Sequence, residues 1–243
     1  MTLEKPYPAV VTGGGRGLGR AISLALAELG CPVAVNYVSD EDAAKRTCEA
    51  IAAQGGRAIP VQADVSRPHD AARLVEAARS AFGPIGIAVN NAGIAIQRDV
   101  FAASIEDFDT TFAVNVRSAF LVSQAVIGDM RELGFGRLVF LSSNAARTGG
   151  SMSAPYASSK AALEGMMHHY AQRLMPWTIT ANAISPSYIA TEIFDDKVMP
   201  PSDKLPMGRM GKPEEVAMAL QMIVCCGYMT GQTIQVSAGR YMT

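Results

Sequence analysis

Tyr156 and Lys160 are the two residues of this sequence whose types and spacing best suit proton transfer. Residues four apart lie on one face of a helix, a turn from each other. A free tyrosine has a pKa of about 10, so acid or base work near neutrality requires a stabilised phenolate, and an adjacent ammonium group supplies this. A lowering of about three pKa units corresponds to about 4 kcal/mol. The same spacing is also typical of a solvated helix surface, so the position of the pair in the fold must decide.

A second candidate is the glycine-rich segment that follows the first predicted strand and runs directly into a helix. Such a turn lets the backbone approach a pyrophosphate, and the helix N-terminus adds free N–H groups and a positive dipole end. The G-x-G-x-x-G spacing is absent, and the alternative is an ordinary tight turn. The residues predicted to contact a nucleotide here are Gly13, Gly15, Arg16, Gly17, Leu18 and Gly19.

The elements that must position these residues alternate along the chain, short apolar strands with longer amphipathic helices. Continuously apolar strands indicate burial on both faces of a parallel sheet. The predicted strands are 7–11, 32–37, 58–62, 85–90, 137–141, 178–184 and 233–236; the predicted helices are 18–29, 41–54, 68–82, 107–133, 155–174 and 213–226. This order predicts a single-domain α/β fold over 1–243, a Rossmann-type three-layer sandwich with a seven-stranded, mostly parallel sheet. The irregular stretch 185–212 is predicted to be a substrate lid.

Composition excludes several classes of protein. The formal net charge of −1 offers no basic surface for nucleic acid or an anionic membrane. The first eight residues contain no apolar signal segment, so we expect a cytoplasmic protein. The four cysteines lack C-x-x-C spacing and are expected to be reduced. His168 and His169 are adjacent rather than three or four apart, so no metal site is predicted. A small molecule is the expected partner.

With its TGxxxGxG loop, the chain resembles the short-chain dehydrogenase/reductase family over nearly its whole length, and its pattern is most similar to the 3-oxoacyl-acyl-carrier-protein reductases. The segment 90–93, Asn-Asn-Ala-Gly, resembles the family motif that braces the central sheet and contacts the cofactor. The resemblance implies further cofactor contacts through Asp64, Val65, Asn91, Ala92, Gly93, Tyr156, Lys160, Pro186, Ile189 and Thr191. For Asp64 an acidic turn without a ligand is the alternative.

The resemblance also implies a catalytic group of four. Ser143 lies thirteen residues before Tyr156, the spacing of the family's catalytic serine, and would polarise a substrate carbonyl. Asn115 resembles the helix asparagine that holds a water in a proton relay through Lys160. Tyr156 would act as acid/base, with its pKa lowered by Lys160. The implied reaction is reversible hydride transfer from NADPH to the carbonyl of a ketone or 3-oxoacyl compound.

The choice between NADP(H) and NAD(H) depends on the end of the second strand. An NAD site places a carboxylate there for the ribose hydroxyl, whereas this chain has Asn36 and Tyr37, both predicted to contact the cofactor. Arg16 offers a cationic fork for a 2′-phosphate. NADP(H) is therefore favoured. Asp40 is the counterargument, although Ser39 or Asp40 is more simply the N-cap of the next helix.

Several residues depart from the family pattern and leave the substrate open. Ser187 stands where glycine usually follows Pro186, so we expect a different loop path. Ala238-Gly239 replaces a pair of glycines. The segment between Thr191 and Pro206 is about four residues shorter than usual. Trp177 replaces a basic residue used for docking an acyl-carrier protein, so a free or CoA-linked ketone ranks close to a carrier-bound substrate.

Three alternatives remain beside a ketone reductase. They are an NADP-binding sensor without turnover, an enzyme acting on sugars or polyols, and a non-redox enzyme on the same fold, which would typically lose the glycine-rich loop or the lysine. The resemblance further implies a homotetramer or homodimer formed through the two long helices and the C-terminal strand. Met166, Met167 and the stretch 224–229 could face a partner subunit or lie in the core of one chain.

Overall fold

The protein is represented by a computed structural model, which describes residues 2–191 and 205–242. A seven-stranded sheet, with every neighbouring pair parallel, has the order β3-β2-β1-β4-β5-β6-β7. The strands are β1 (Ala9–Val11), β2 (Val33–Tyr37), β3 (Ala58–Gln62), β4 (Ile87–Asn90), β5 (Gly136–Leu141), β6 (Ile179–Pro186) and β7 (Thr233–Val236). The predicted Rossmann-type α/β fold is confirmed, and its sheet is wholly parallel.

Eight α-helices lie in the part of the chain that the structure describes. They are α1 (Gly17–Glu28), α2 (Glu41–Ala53), α3 (Pro68–Phe82), α4 (Ile105–Phe112), α5 (Ser118–Leu133), α6 (Ala145–Thr148), α7 (Ala154–Leu174) and α8 (Pro213–Cys225). Helices α1, α2 and α8 pack on one face of the sheet, and α3, α5 and α7 pack on the other. The two apolar layers bury the continuously apolar strands from both sides, as the sequence indicated.

The predicted helix 107–133 is interrupted. Between α4 and α5 lies one turn of π-helix, Ala113–Arg117, and the chain then continues in α-helical form. The stretch Ile105–Leu133 is long and apolar enough to cross a membrane, but its residues Val122, Val126 and Met130 are buried against the sheet. One side of α5 therefore packs in the core of the protein.

Of the residues proposed to face a partner subunit, Met167 and Val224 are fully buried within the chain. The partner-facing interpretation is therefore wrong for these two residues. Met166 is partly buried against the same core, whereas Tyr228 is fully exposed.

The order of the strands reverses between β1 and β4, which creates a crevice at the carboxyl edge of the sheet. Ligands of open α/β sheets bind at such a switch point. The glycine-rich loop follows β1, the segment 90–93 ends β4, Ser143 follows β5, and Pro186 ends β6. The fold therefore brings the predicted motifs to a single edge.

Candidate active site

The glycine-rich loop is fastened to the end of β4 by a threonine and an asparagine. The hydroxyl of Thr12 accepts hydrogen bonds from the backbone N–H groups of Asn91 and Ala92, both at 2.9 Å. The Asn91 side chain donates to the carbonyl groups of Thr12 and Gly13 at 2.8 and 3.1 Å. These bonds fix the loop beside β4. Thr12 is the threonine of the TGxxxGxG loop, and the sequence did not indicate this bracing role.

Gly19 allows the loop to fold back against the start of α1. A Cβ atom on Gly19 would lie 2.0 Å from the carbonyl oxygen of Gly13, a distance no side chain can occupy. The N-cap residue Arg16 makes no capping bond with its side chain, and the first turn of α1 contains no acidic residue. A helix N-terminus with uncapped N–H groups fits the phosphates of a dinucleotide. The loop residues and Arg16 would hold such a group.

Asn36 has an internal task that the sequence did not indicate. Its side chain is buried, accepts a hydrogen bond from the N–H of Gly13 at 3.1 Å and donates to the carbonyl of Ala63 at 2.9 Å. Its backbone carbonyl accepts from Gly14. A contact between Asn36 and a cofactor stays a prediction, and it would have to share these groups. Tyr37, at the end of β2, is partly exposed beside the crevice.

The acidic residues near β2 and β3 are engaged locally. Asp40 caps α2 by accepting a hydrogen bond from the N–H of Ala43 at 3.0 Å, the role predicted as its simpler interpretation. Asp64 accepts hydrogen bonds from Ser66 and pairs with Arg67 at 3.1 Å. An adenine amino group would have to share the Asp64 carboxylate with these partners. Val65 is buried beneath this turn.

Tyr156 and Lys160 both lie in the first two turns of α7, as predicted, and α7 begins at the N-cap Ser153. The Lys160 ammonium lies 5.7 Å from the centroid of the Tyr156 ring and donates to the Leu141 carbonyl at 2.7 Å. Ser143 follows β5, and its hydroxyl accepts a hydrogen bond from the N–H of Ala145 at 3.2 Å. The three side chains therefore lie together at the carboxyl end of β5.

The pKa values of the pair are set mainly by burial. Burial raises the pKa of Tyr156, and the interaction with the Ser143 hydroxyl lowers it in part. Burial lowers the pKa of Lys160 to about 8. From the sequence we expected the pKa of Tyr156 to be lowered. Burial instead raises this pKa, because a medium of low polarity disfavours the charged phenolate. Tyr156 therefore keeps its proton at neutral pH, as a proton donor requires.

Asn115 lies at the centre of the π-helical turn and is fully buried. Its side chain exchanges hydrogen bonds with the backbone of Ile94 at 2.8 and 3.0 Å and donates to the hydroxyl of Ser159 at 3.0 Å. Ser159 precedes Lys160, so Asn115 connects the segment after β4 to α7. Both N–H donors of the Asn115 amide are used in these bonds, and a water relay at Asn115 stays a prediction.

Gly93 lies between the asparagine and the lysine. A Cβ atom on Gly93 would lie 3.3 Å from the side-chain oxygen Oδ1 of Asn115 and 3.4 Å from the Lys160 ammonium. A side chain at residue 93 would therefore crowd both of these buried groups. Gly93 thus completes a cluster that contains all four predicted catalytic residues.

The segment after β6 follows an unusual path. Positive φ occurs at Tyr188 (48°) and not at Ser187, whose N–H donates to the Val236 carbonyl at 3.1 Å. Ile189 is buried, and Thr191 lies beside Gly17, where an added Cβ would meet its side chain at 3.5 Å. This segment therefore reaches the glycine-rich loop. Residues 192–204 of the predicted lid lie outside the described residues, whereas 205–212 are described.

A cavity of about 240 Å³ lies next to this segment. Tyr188, Met207 and Val236 contribute to its wall. The guanidinium of Arg240 stacks on the Tyr188 ring at 4.1 Å. The strained backbone at Tyr188 thus presents an aromatic side chain to a space at the carboxyl edge of β6 and β7.

Comparisons with known proteins agree with this geometry. A family model described as short chain dehydrogenase matches residues 8–200. The chain is 38% identical to a chloroplastic NADPH-dependent aldehyde reductase-like protein of Arabidopsis thaliana, with 95% of this chain and 93% of the relative covered. It is 34% identical to a 3-oxoacyl-[acyl-carrier-protein] reductase of Synechocystis, with 100% of each covered.

Among solved structures, a 3-oxoacyl-[acyl-carrier protein] reductase from Brucella melitensis with bound NAD superposes with a TM-score of 0.90. The identity is 30%, and 99% of this chain and 93% of the other are covered. The fold and the matches define an oxidoreductase class that uses a nicotinamide cofactor. This chain belongs to the short-chain dehydrogenase/reductase family, and the predicted family is confirmed.

Proposed function

We propose that the protein is an NADP(H)-dependent reductase of ketones or 3-oxoacyl compounds. The cofactor supplies a hydride to the carbonyl carbon when it is bound. Tyr156 donates its phenolic proton to the carbonyl oxygen, and Ser143 donates a hydrogen bond to the same oxygen as charge develops there. Lys160 supplies a positive charge near the phenolate that forms. Asn115 positions the lysine helix through Ser159.

The observation that supports this function most directly is the convergence of Ser143, Tyr156 and Lys160. The Ser143 hydroxyl lowers the pKa of Tyr156, and the buried Lys160 ammonium lies 5.7 Å from the centroid of the Tyr156 ring. No carboxylate of the described residues pairs with this ammonium group. Such a buried charge costs stability, and proton transfer at Tyr156 gives it a use. A sensor that only binds the nucleotide would not need it.

The preference for NADP(H) rests on Arg16 and Asp40. Within residues 2–191 and 205–242, the Arg16 side chain makes no ion pair. Asp40 is turned to the N-terminus of α2. Arg16 in the glycine-rich loop thus offers a cation for a 2′-phosphate, and β2 ends without a carboxylate for a ribose hydroxyl. Wild-type protein should therefore show a higher kcat/KM with NADPH than with NADH.

The substrate range stays broad in this proposal. Trp177 is 42% exposed in a 3₁₀ turn before β6, at the edge of the sheet opposite the crevice. It offers no charge to an acidic carrier protein, so free ketones and CoA thioesters are proposed beside carrier-bound 3-oxoacyl groups. A panel of β-keto esters, 3-oxoacyl thioesters, aldehydes and sugars, followed through NADPH absorbance, ranks them.

The proposed chemistry is tested by Tyr156→Phe. We expect turnover to fall at least a thousandfold, since the proton donor is lost, while NADPH affinity measured by calorimetry stays within about threefold. Tyr170→Phe is a matched control, because Tyr170 lies on the same helix and its hydroxyl accepts a hydrogen bond from the Gln124 side chain at 2.8 Å. Substantial turnover in Tyr156→Phe would refute the assignment. A wild-type protein that binds NADPH and oxidises none of it with any compound of the panel would instead be a sensor.

A further inference from the structure

The catalytic helix contains a buried carboxylate that the proposed chemistry does not use. Glu164 lies on α7 one turn beyond Lys160 and two turns beyond Tyr156, and it is 3% exposed. One carboxylate oxygen accepts a hydrogen bond from the hydroxyl of Ser142 at 2.9 Å. The other accepts from the Nε and Nη2 atoms of Arg147, both at 2.7 Å. A buried carboxylate of this kind requires such partners to stay charged.

The two partners of Glu164 lie on either side of the catalytic serine. Ser142 directly precedes Ser143 at the end of β5. Arg147 belongs to α6, a helix of four residues that begins two positions after Ser143. Glu164 therefore fastens both flanks of Ser143 to the helix that contains Tyr156.

Helix α6 acts directly on the serine hydroxyl. The N–H of Ala145, the first residue of α6, donates to the Ser143 Oγ at 3.2 Å. This bond occupies a lone pair of the hydroxyl. A shift of α6 would therefore move the Ser143 Oγ atom relative to Tyr156.

The outer end of α6 is exposed to solvent. The helix has no side-chain N-cap, and the exposed Gly149 and Gly150, both with positive φ, follow it. Among the residues that the structure describes, the contact of Arg147 with Glu164 is the side-chain hydrogen bond that connects α6 to α7. The pair was not predicted from the sequence, although an acidic residue four positions after Lys160 on a core-facing helix was an available signal.

We propose that Glu164 and Arg147 are positioning residues that set the distance and orientation of the Ser143 hydroxyl relative to Tyr156. The proposal rests on the proposed reductase function. The Glu164 carboxylate connects both Ser142 and α6 to α7, the helix that contains Tyr156.

Kinetics of Glu164→Gln and Arg147→Met test the proposal. We expect kcat to fall about tenfold or more in each, with NADPH affinity unchanged within twofold and a larger primary isotope effect with deuterated NADPH, because chemistry becomes slower than product release. Arg147→Lys keeps the charge and should recover part of kcat.

The matched control is Asp129→Asn. Asp129 pairs with Arg79 at 3.1 Å and so joins α3 to α5. It also accepts a hydrogen bond from the N–H of Ile85, just before β4, at the edge of the sheet opposite Ser143. We expect this variant to lose stability without losing kcat. A loss of kcat in Asp129→Asn equal to that in Glu164→Gln would assign the effect to general destabilisation and overturn the proposal.

A second measurement separates a route through Ser143 from any other. In a Ser143→Ala background, Glu164→Gln should cause no further loss of kcat, since its effect acts through the absent hydroxyl. The same fold loss in both backgrounds would overturn the proposal. A crystal structure of Glu164→Gln adds a readout that needs no activity: the separation between Ser143 Oγ and Tyr156 Oη should increase relative to wild type. If wild type proves inactive, the proposed function fails, and an unchanged separation would still refute the positioning role.

Discussion

Lys160 shows how function and stability oppose each other at a single residue. Its side chain is 6% exposed, its ammonium bonds to the Leu141 carbonyl, and burial lowers its pKa from 10.5 to about 8. The unfolded chain binds this proton more tightly than the native protein does. Below pH 8 the native state therefore contains an unfavourable buried charge, at a cost of about 3 kcal/mol for a difference of about 2.5 pKa units.

We therefore predict that Lys160→Met is inactive and more stable at pH 7. Removing the buried charge should raise the free energy of unfolding by about 3 kcal/mol, and losing the hydrogen bond to Leu141 should lower it by about 1 kcal/mol. The expected net stabilisation is therefore about 1–2 kcal/mol. Because wild-type stability rises with pH between about 8 and 10.5, the gain should shrink over that interval. Urea unfolding at pH 7 and pH 9.5 measures both values.

Lys45→Met provides the control, since Lys45 is exposed on α2 and pairs with Glu41 at 2.9 Å. Its substitution should change stability little at either pH. A destabilised Lys160→Met, or a gain that does not depend on pH, would contradict the burial argument.

At the scale of elements, the strands and helices with a regular hydrophobic pattern could be predicted from the sequence, whereas the π-turn and the short helix α6 could not. Strand β3 and helix α3 have the predicted bounds, because apolar continuity and a Pro start are local signals. The π-turn at 113–117 differs from an α-helix by one residue per turn, so a period-3.6 pattern cannot reveal it. Helix α6 is too short for any periodic signal. The site residues followed from motif spacing, whereas Thr12, Ser159 and Glu164 act through contacts distant in sequence.

Ala238 stands where the family pattern has a glycine, and its backbone conformation makes this difference costly for stability. Its φ is 50° and that of Gly239 is 76°, so both positions are left-handed. A Cβ atom in this conformation costs about 1–2 kcal/mol, partly offset by the greater flexibility of glycine when unfolded. We expect Ala238→Gly to stabilise the protein by about 0.5–1 kcal/mol and Gly239→Ala to destabilise it by a similar amount, both measured by urea unfolding. Equal signs for the two substitutions would contradict this account.

At the scale of the whole molecule, several large apolar side chains remain exposed on the described part of one chain. Phe101 is 96% exposed before α4, Ile105 and Phe108 on α4 are 65% and 40% exposed, and Phe120 on α5 is 47% exposed. Tyr228 and Met218 are exposed near β7 and on α8. Contiguous exposed apolar groups mark interaction sites. Helices α5 and α8 pack on opposite faces of the sheet, and a tetramer with two kinds of interface uses two different surfaces of each chain.

We therefore expect light scattering to show a homotetramer, four chains of 25.6 kDa each. Phe120→Asp should reduce it to a dimer, because an unpaired carboxylate buried in one interface is strongly unfavourable. Val38→Asp, at a 55% exposed position beyond β2, is the charge-matched control and should leave the mass unchanged. A tetramer in both variants would exclude α5 from the interface, and a wild-type monomer would mean that these aromatic groups face water. Since α4, the π-turn at Asn115 and α5 are continuous, a dimer made by Phe120→Asp should also lose kcat if assembly supports the site.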